Sequence, residues 1–243
     1  MSLVDRCKLF RREFPQAKIN PTLLRQVYAL HKIKKKAYRW HKEARDPDPE
    51  KQRQWLINVK RQLTRAKNDG YRVVYIDETC FTRKTCRNTE WARPKENMTV
   101  DVAQLDEPTL ALLCGISKEK GLEHFEVYPH STNIDKFIEY LDNLRAANGD
   151  DKICLFMDNL SAHTAERSKQ SMRDHGFRYI YNVPYSPDYN PIEFVFSMVK
   201  RNFKSLRARK LTGLIQDSHA SMVAQAVQMV KKKDIVSCVN HVS

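Results

Sequence analysis

Two unbroken apolar runs end on an acid, and this restricts the fold more than anything else in the chain. Ile153-Cys154-Leu155-Phe156-Met157 closes on Asp158, and Val73-Val74-Tyr75-Ile76 closes on Asp77. Runs without polar alternation read as strands covered on both faces, the central position in a sheet layered between helices. A carboxylate closing such a strand is costly to bury unless its charge is compensated. A third acid, Glu193, follows in Tyr185-Ser186-Pro187-Asp188-Tyr189-Asn190-Pro191-Ile192-Glu193, with 34 residues between it and Asp158. Three such carboxylates converging on one point make an oxygen-rich site for hard divalent cations. Two ions held about 4 Å apart can clamp the attacking and leaving oxygens of a phosphodiester.

The rest of the chain supplies the setting. The pattern predicts a strand from Arg72 to Glu78, then a hairpin of Leu110–Ser117 and Glu123–Tyr128 turning at Lys120-Gly121. A helix from Asn133 to Ala146, the covered strand Lys152–Asp158, a polar helix over 164–175 and a strand from Arg178 to Val183 follow. Helices from about 191 to 206 and over 212–230 complete a mixed α/β layer order. Upstream, Leu3, Cys7, Phe10 and Phe14 recur at helical spacing before Pro15. Asn20-Pro21 then reads as a helix start, with Asn as cap and Pro in the first turn, and the helix continues through Leu30 into Lys32–Lys36. Two short helices with a tight break, the second basic at its end, fit a helix-turn-helix as well as an ordinary helical hairpin. In the first case Arg25, Lys32, Lys34, Lys35 and Lys36 are the DNA-binding candidates. Asp46-Pro47-Asp48-Pro49-Glu50 reads as a linker, since proline cannot sit in a helix interior, and a helix over roughly 51–67 stops at Gly70. The expected division is therefore a helix-turn-helix-like segment over 1–45, the DNA-binding candidate, a linker and helix over 46–70, and an α/β domain carrying the three acids over 71–243.

Of the 243 residues, 41% are hydrophobic, enough for a real core. No apolar run approaches the roughly 20 residues of a transmembrane helix, and the amino-terminal residues lack the apolar stretch of a signal peptide. The six cysteines are scattered with no Cys-x-x-Cys pair, which fits reduced thiols and argues against zinc. The net charge of +14 is segregated. Residues 1–70 carry 19 Lys and Arg against 7 Asp and Glu, residues 71–193 carry 15 against 20, and residues 194–243 carry 9 against 2. Basic flanks suit a polyanion, and an acidic middle suits cations that neutralise it.

Each acid also has a plainer explanation. Asp77 and Asp158 would serve as strand-end residues capping a turn. Asn190, Pro191 and Glu193 also spell a capping box, in which the Glu reaches back to the cap amide. A metal site accounts for all three at once. In the helix from Pro191, Ile192, Phe196, Val199, Phe203 and Leu206 form an apolar stripe, and Glu193, Lys200, Lys204 and Arg207 an adjacent face. Lys200 lies nearly two turns below Glu193 on the same side. A carboxylate for metal backed by cations for phosphate is chemically coherent; a solvated basic face is the alternative.

Tyr75-Ile76-Asp77-Glu78-Thr79, Met157-Asp158-Asn159-Leu160-Ser161-Ala162-His163 and Tyr185 to Glu193 resemble the three signature blocks of mariner-type superfamily DDE transposases, including their bacterial insertion-sequence relatives. The similarity spans about residues 71–210, in the right order and spacing, and Trp91-Ala92-Arg93 resembles a segment that follows the first aspartate in that family. The resemblance implies an RNase H-like fold, a mixed sheet flanked by helices, behind a small helix-turn-helix-like segment. It implies that Asp77, Asp158 and Glu193 are the catalytic triad and hold two Mg²⁺ or Mn²⁺ ions. Asn159, His163, Trp91, Arg93, Asn190, Lys200 and Lys204 become supporting or DNA-contacting candidates, with His163 either orienting a phosphate or a neighbouring group or serving as a structural histidine. The implied activity is DNA transposition by strand cleavage and strand transfer, on double-stranded transposon ends and target DNA, by a homodimer in a synaptic complex with no membrane. Location would be the nucleus in a eukaryote or the cytoplasm and nucleoid in a bacterium, not outside the cell.

The family carries two helix-turn-helix units ahead of the catalytic domain, whereas the about 76 residues before Asp77 hold one unit and a linker. Segment 1–36 resembles the second unit, so the first is encoded elsewhere, the copy is truncated, or ends are recognised differently. Two rival functions share the sequence. An RNase H-like nuclease or integrase would cut without joining, and a catalytically silent domesticated DNA-binding protein would tolerate loss of Asp158.

Overall fold

In the computed structural model, residues 3–33, 48–85, 107–184, 186–211 and 213–242 are described. Lys34, Lys35, Lys36, Trp91 and Arg93 lie outside them. The chain divides into two compact units, Met1–Arg45 and Asp46–Ser243.

In the first unit, α1 (Leu3–Glu13) and α2 (Pro21–Leu30) close on Cys7, Ile19 and Leu24, with Leu3 and Tyr28 packed beside them. The Asn20 side chain caps α2 by accepting the Leu23 N–H at 2.8 Å, with Pro21 in the first turn. The helix stops at Leu30 and does not run into the lysines. Lys32 sits at φ 53°, a left-handed conformation that a right-handed helix cannot contain. Arg25 and Lys32 are exposed.

The second unit runs α3 (Pro49–Asn68), β1 (Arg72–Phe81), β2 (Leu110–Ser117), β3 (Gly121–Pro129), α4 (Ile134–Asn148), β4 (Ile153–Met157), α5 (Ser161–Thr164), α6 (Glu166–Asp174), β5 (Arg178–Tyr181), α7 (Ile192–Leu211), α8 (His219–Gln228) and α9 (Lys232–Val242), with a 3-10 turn at Pro187–Tyr189 before α7. The strands form one sheet in the order β3-β2-β1-β4-β5. β1 is antiparallel to β2 and parallel to β4, which is parallel to β5. Val73, Tyr75, Cys154 and Phe156 pack on one side with α3, α7, α8 and α9. Val74, Ile76, Leu155 and Met157 pack on the other with α4 and α6. The unbroken apolar runs are therefore the two central strands, covered on both faces.

Several boundaries differ from the sequence reading, each for a local or long-range reason. Pro49 opens α3 and is not part of a linker, because the Asp48 carboxylate caps the Glu50 N–H at 3.0 Å and the first helical position tolerates proline. β1 continues past Glu78 to Phe81, its last residues pairing with Leu110–Leu112 of β2. The polar helix splits at Ala165, whose backbone is extended. α7 runs on to Leu211 and ends in a Schellman motif, in which Gly213 at φ 73° lets Leu214 and Gly213 return their N–H groups to Arg209 and Lys210. The helix expected over 212–230 is only α8, started by the Ser218 hydroxyl accepting the Ser221 N–H at 3.1 Å. α9 follows it, where the sequence reading held no element.

Candidate active site

β1 and β4 bring the first two acids together. Their parallel register pairs Tyr75 with Phe156, so Asp77 and Asp158 each lie two residues further along neighbouring strands and keep the facing of those rings. Asp77 is not at a strand end: it stands within β1, opposite Cys114 of β2, where β1 overhangs β4. Asp158 directly follows β4, and Glu193 is the second residue of α7. All three line one cleft of about 350 Å³, with Asn159, Leu160, Asn182 and Asn190 among its walls.

Asp77 is held through both of its oxygens and Asp158 through one. Asp77 Oδ1 accepts the Glu78 N–H at 2.8 Å, and its Oδ2 receives the Asn190 amide at 3.2 Å. Asp158 Oδ1 accepts the Leu160 N–H at 3.1 Å and sits 2.8 Å from His163 Nδ1, which must carry the proton because a carboxylate only accepts. The His163 ring is 2% exposed and packed against Phe137. That burial removes it from any phosphate and leaves it orienting Asp158. Tyr181 fixes it further by donating to the His163 carbonyl at 3.0 Å.

Glu193 is not a capping-box residue. The Asn190 N–H goes to the Pro187 carbonyl, and no described residue donates to the exposed Glu193 carboxylate. Asn190 instead links the turn before α7 to the sheet through Asp77. Asn159 donates to the Asn182 carbonyl at 2.7 Å, and the Asn182 amide donates to the Ser186 carbonyl at 2.8 Å. Asn182 and Tyr181 were not singled out from the sequence; what ties them to the site, Asn159 and the His163 carbonyl, lies 23 and 18 residues away and leaves no local signal.

The electrostatics follow from crowding acids in a cleft. Asp77 is pushed up to about 7, chiefly by burial and then by the Asp158 and Glu193 charges, against the opposing Glu78 amide. Glu193 is also raised, by desolvation first, with Lys200 pulling the other way. Lys200 and Lys204 are half-buried on α7. Arg207 does not share their face with solvent: it is 2% exposed, and donates to the carbonyls of Thr82, Arg83 and Thr85 at 3.0–3.2 Å. Among the described residues, no three His, Cys, Asp or Glu side chains are gathered at metal-ligating distance. The triad shares a cleft without closing on a point. Its donor set is nonetheless all carboxylate oxygen, the chemistry of a hard divalent cation, and a cation is the charge that the raised Asp77 lacks.

Residues 72–215 match the family model described as DDE superfamily endonuclease. Solved structures share the fold. The Mos1 strand transfer complex is 15% identical with a TM-score of 0.62, over 93% of this chain and 67% of that chain. The Mos1 mariner paired-end complex with Mn is 14% identical with a TM-score of 0.60, over 93% and 68%. The catalytic domain of Mos1 mariner transposase is 15% identical with a TM-score of 0.52, over 82% and 91%. The five-stranded mixed sheet with helices on both faces is thus the RNase H-like fold. No curated protein sequence matches the chain.

Proposed function

This chain belongs to the DDE superfamily endonucleases, and from that membership we propose that it is a DNA transposase, cutting and rejoining DNA strands at the Asp77–Asp158–Glu193 cleft. The observation that carries the reading is that the three acids of the three sequence blocks line a single cleft inside the family-matched region. Asp77 and Asp158 are the fixed pair, each tied to a backbone N–H and to one side chain, Asn190 or His163. Glu193, unbound by any described donor and exposed at the start of α7, is the adjustable third ligand. Two Mg²⁺ or Mn²⁺ ions held by these carboxylates would activate a water or a DNA 3′-OH and stabilise the leaving 3′ oxygen. Solved relatives of this fold include Mos1 catalytic-domain structures with Mg and with Mn, which supports the choice of ion.

The substrate is double-stranded DNA. The Mos1 structures of similar fold include a strand transfer complex and a paired-end complex, which supports a homodimer joining two transposon ends. The basic residues around the acidic middle supply phosphate contacts, with Lys200 and Lys204 along α7 and Arg25 and Lys32 on the first unit. The nucleus or the bacterial nucleoid is the corresponding site of action.

The test is Mn²⁺- or Mg²⁺-dependent nicking and end-joining on DNA carrying the element's flanking repeats, with Glu193→Gln in parallel. Cleavage plus joining, lost in the variant, is the expected result. Cleavage without joining would make the protein a nuclease, and DNA binding with no metal-dependent chemistry would make it a silent DNA-binding protein.

A further inference from the structure

Behind the three acids, on the same side of the sheet as Asp77, lies a second cavity of about 170 Å³. Val59 and Leu63 of α3, Tyr75 of β1, Phe156 of β4, Tyr189 of the 3-10 turn and Val242 of α9 are among its walls. A volume of about 150 Å³ is large enough to admit a benzene ring. Its mouth is different in kind. Lys60 and Lys67, seven residues apart and so on one side of α3, both border it. Both are exposed, and no acidic side chain among the described residues pairs with either. A mainly apolar pocket bordered by two unanswered ammonium groups selects an amphiphile of matching shape.

We propose that this cavity binds a small single-ring aromatic carboxylate, ring inward and carboxylate between Lys60 and Lys67, and that the triad senses its occupancy. The walls supply the coupling. Tyr75 precedes Asp77 by two residues on β1, and Phe156 precedes Asp158, which directly follows β4, by two residues. Tyr189 adjoins Asn190, whose amide holds Asp77. An occupant pressing on these three rings bears on β1, on β4 and on the turn that holds Asp77 through Asn190. A DNA backbone would use the two lysines but leave the chamber empty, so nucleic acid does not explain the pairing of features.

The experiment titrates the metal-free, methyl-labelled full chain with phenylacetate and reads the methyl signals of Val59, Leu63 and Val242. Saturable shifts at these methyls are expected. Affinity should fall roughly fivefold in Lys60→Ala/Lys67→Ala, where two exposed charges are lost. Leu63→Trp, which fills the chamber, should abolish the shifts. Mn²⁺ affinity should change at least about twofold when phenylacetate is saturating. No saturable shift, or binding of phenylacetate indifferent to the lysines, overturns the site. Shifts that grow with protein concentration in the absence of phenylacetate assign the chamber to a second copy and overturn it as well. Saturation with unchanged Mn²⁺ affinity overturns the coupling. Binding requires no strand transfer, so each result is separate from the fate of the transposase reading.

Discussion

The two ends of α7 treat negative charge in opposite ways. Near its start, Asp77, Asp158 and Glu193 share a cleft, and apart from the His163 ring no basic side chain of the described residues comes within ion-pair distance. Near its end a single acid, Glu107, faces Lys210 at 2.6 Å, His219 at 2.6 Å and Arg207 at 3.5 Å. Burial would raise the Glu107 carboxyl, but Lys210, His219 and Arg207 together hold it below the usual range. Where this fold needs an acid for architecture it surrounds it with cations. The clamp holds the chain leaving β1 at residues 82–85 and the chain approaching β2 at Glu107 against one helix. Leaving the triad uncompensated is therefore not a limit of what the sequence can build. It fits a site whose positive charge arrives from outside.

The sharpest way to break this contrast is Asp77→Asn. Metal-dependent strand cleavage should fall by at least about a thousandfold, since the ion-held charge stabilisation amounts to several kcal/mol. Stability should move the other way. The Asp77 pKa is raised in the folded state to about 7, so its contribution is fully present below about pH 4 and is lost as pH rises through 7. At pH 8 the ionised group costs the metal-free protein up to about 4 kcal/mol. The variant should therefore melt several degrees higher than the parent at pH 8 without metal, and show little difference at pH 4, by calorimetry. A variant less stable at pH 8 would mean that Asp77 is a structural acid after all.

Glu107→Gln tests the opposite end. It strands the buried Arg207 without its anion and should cost about 3 kcal/mol in urea unfolding at pH 7. The Glu107 pKa is depressed, so its stabilisation is present above about pH 4.5 and is lost as pH falls. The difference between parent and variant should shrink in acid, the mirror image of Asp77. Cleavage per folded molecule should stay within a few-fold of the parent.

How much of this contrast the sequence carried can be traced residue by residue. The apolar runs into Asp77 and Asp158 were legible because burial on both faces erases polar alternation, and Asn20 and Gly70 marked real helix ends because caps are local chemistry. The end of β1 was misjudged because what extends it is Leu110–Leu112, some thirty residues on. Arg207 read as one more cation on a basic face. Its burial depends on carbonyls more than 120 residues away in sequence, and no periodicity within α7 announces them. His163 was legible as a neighbour of Asp158 but not as a buried donor to it.

A smaller perturbation separates ligands from their supports. Asn190→Ala removes the amide that steadies Asp77 while leaving all three acids. Cleavage should fall about tenfold to a hundredfold, the usual consequence of losing a group that orients a ligand. The readout is Mn²⁺ titration of the cleavage rate: raising the metal concentration should recover part of the loss, as it cannot for Asp77→Asn. A loss as complete as that of Asp77→Asn would place Asn190 among the groups that act directly.

The smallest expected effect belongs to Lys204. It lies on α7 between the two ends, half-buried, and no acid among the described residues pairs with it. If α7 carries charge from the cleft toward the DNA backbone, Lys204→Ala should weaken DNA binding a few-fold, equally for all sequences, and lower the salt dependence by about one phosphate contact. Cleavage of bound DNA at saturating protein should be unchanged, because the side chain holds neither an acid nor a ligand of the cleft. An unchanged salt slope would assign Lys204 to the solvated face of the helix. A loss of cleavage at saturation would instead extend the uncompensated region past Glu193 into the middle of α7.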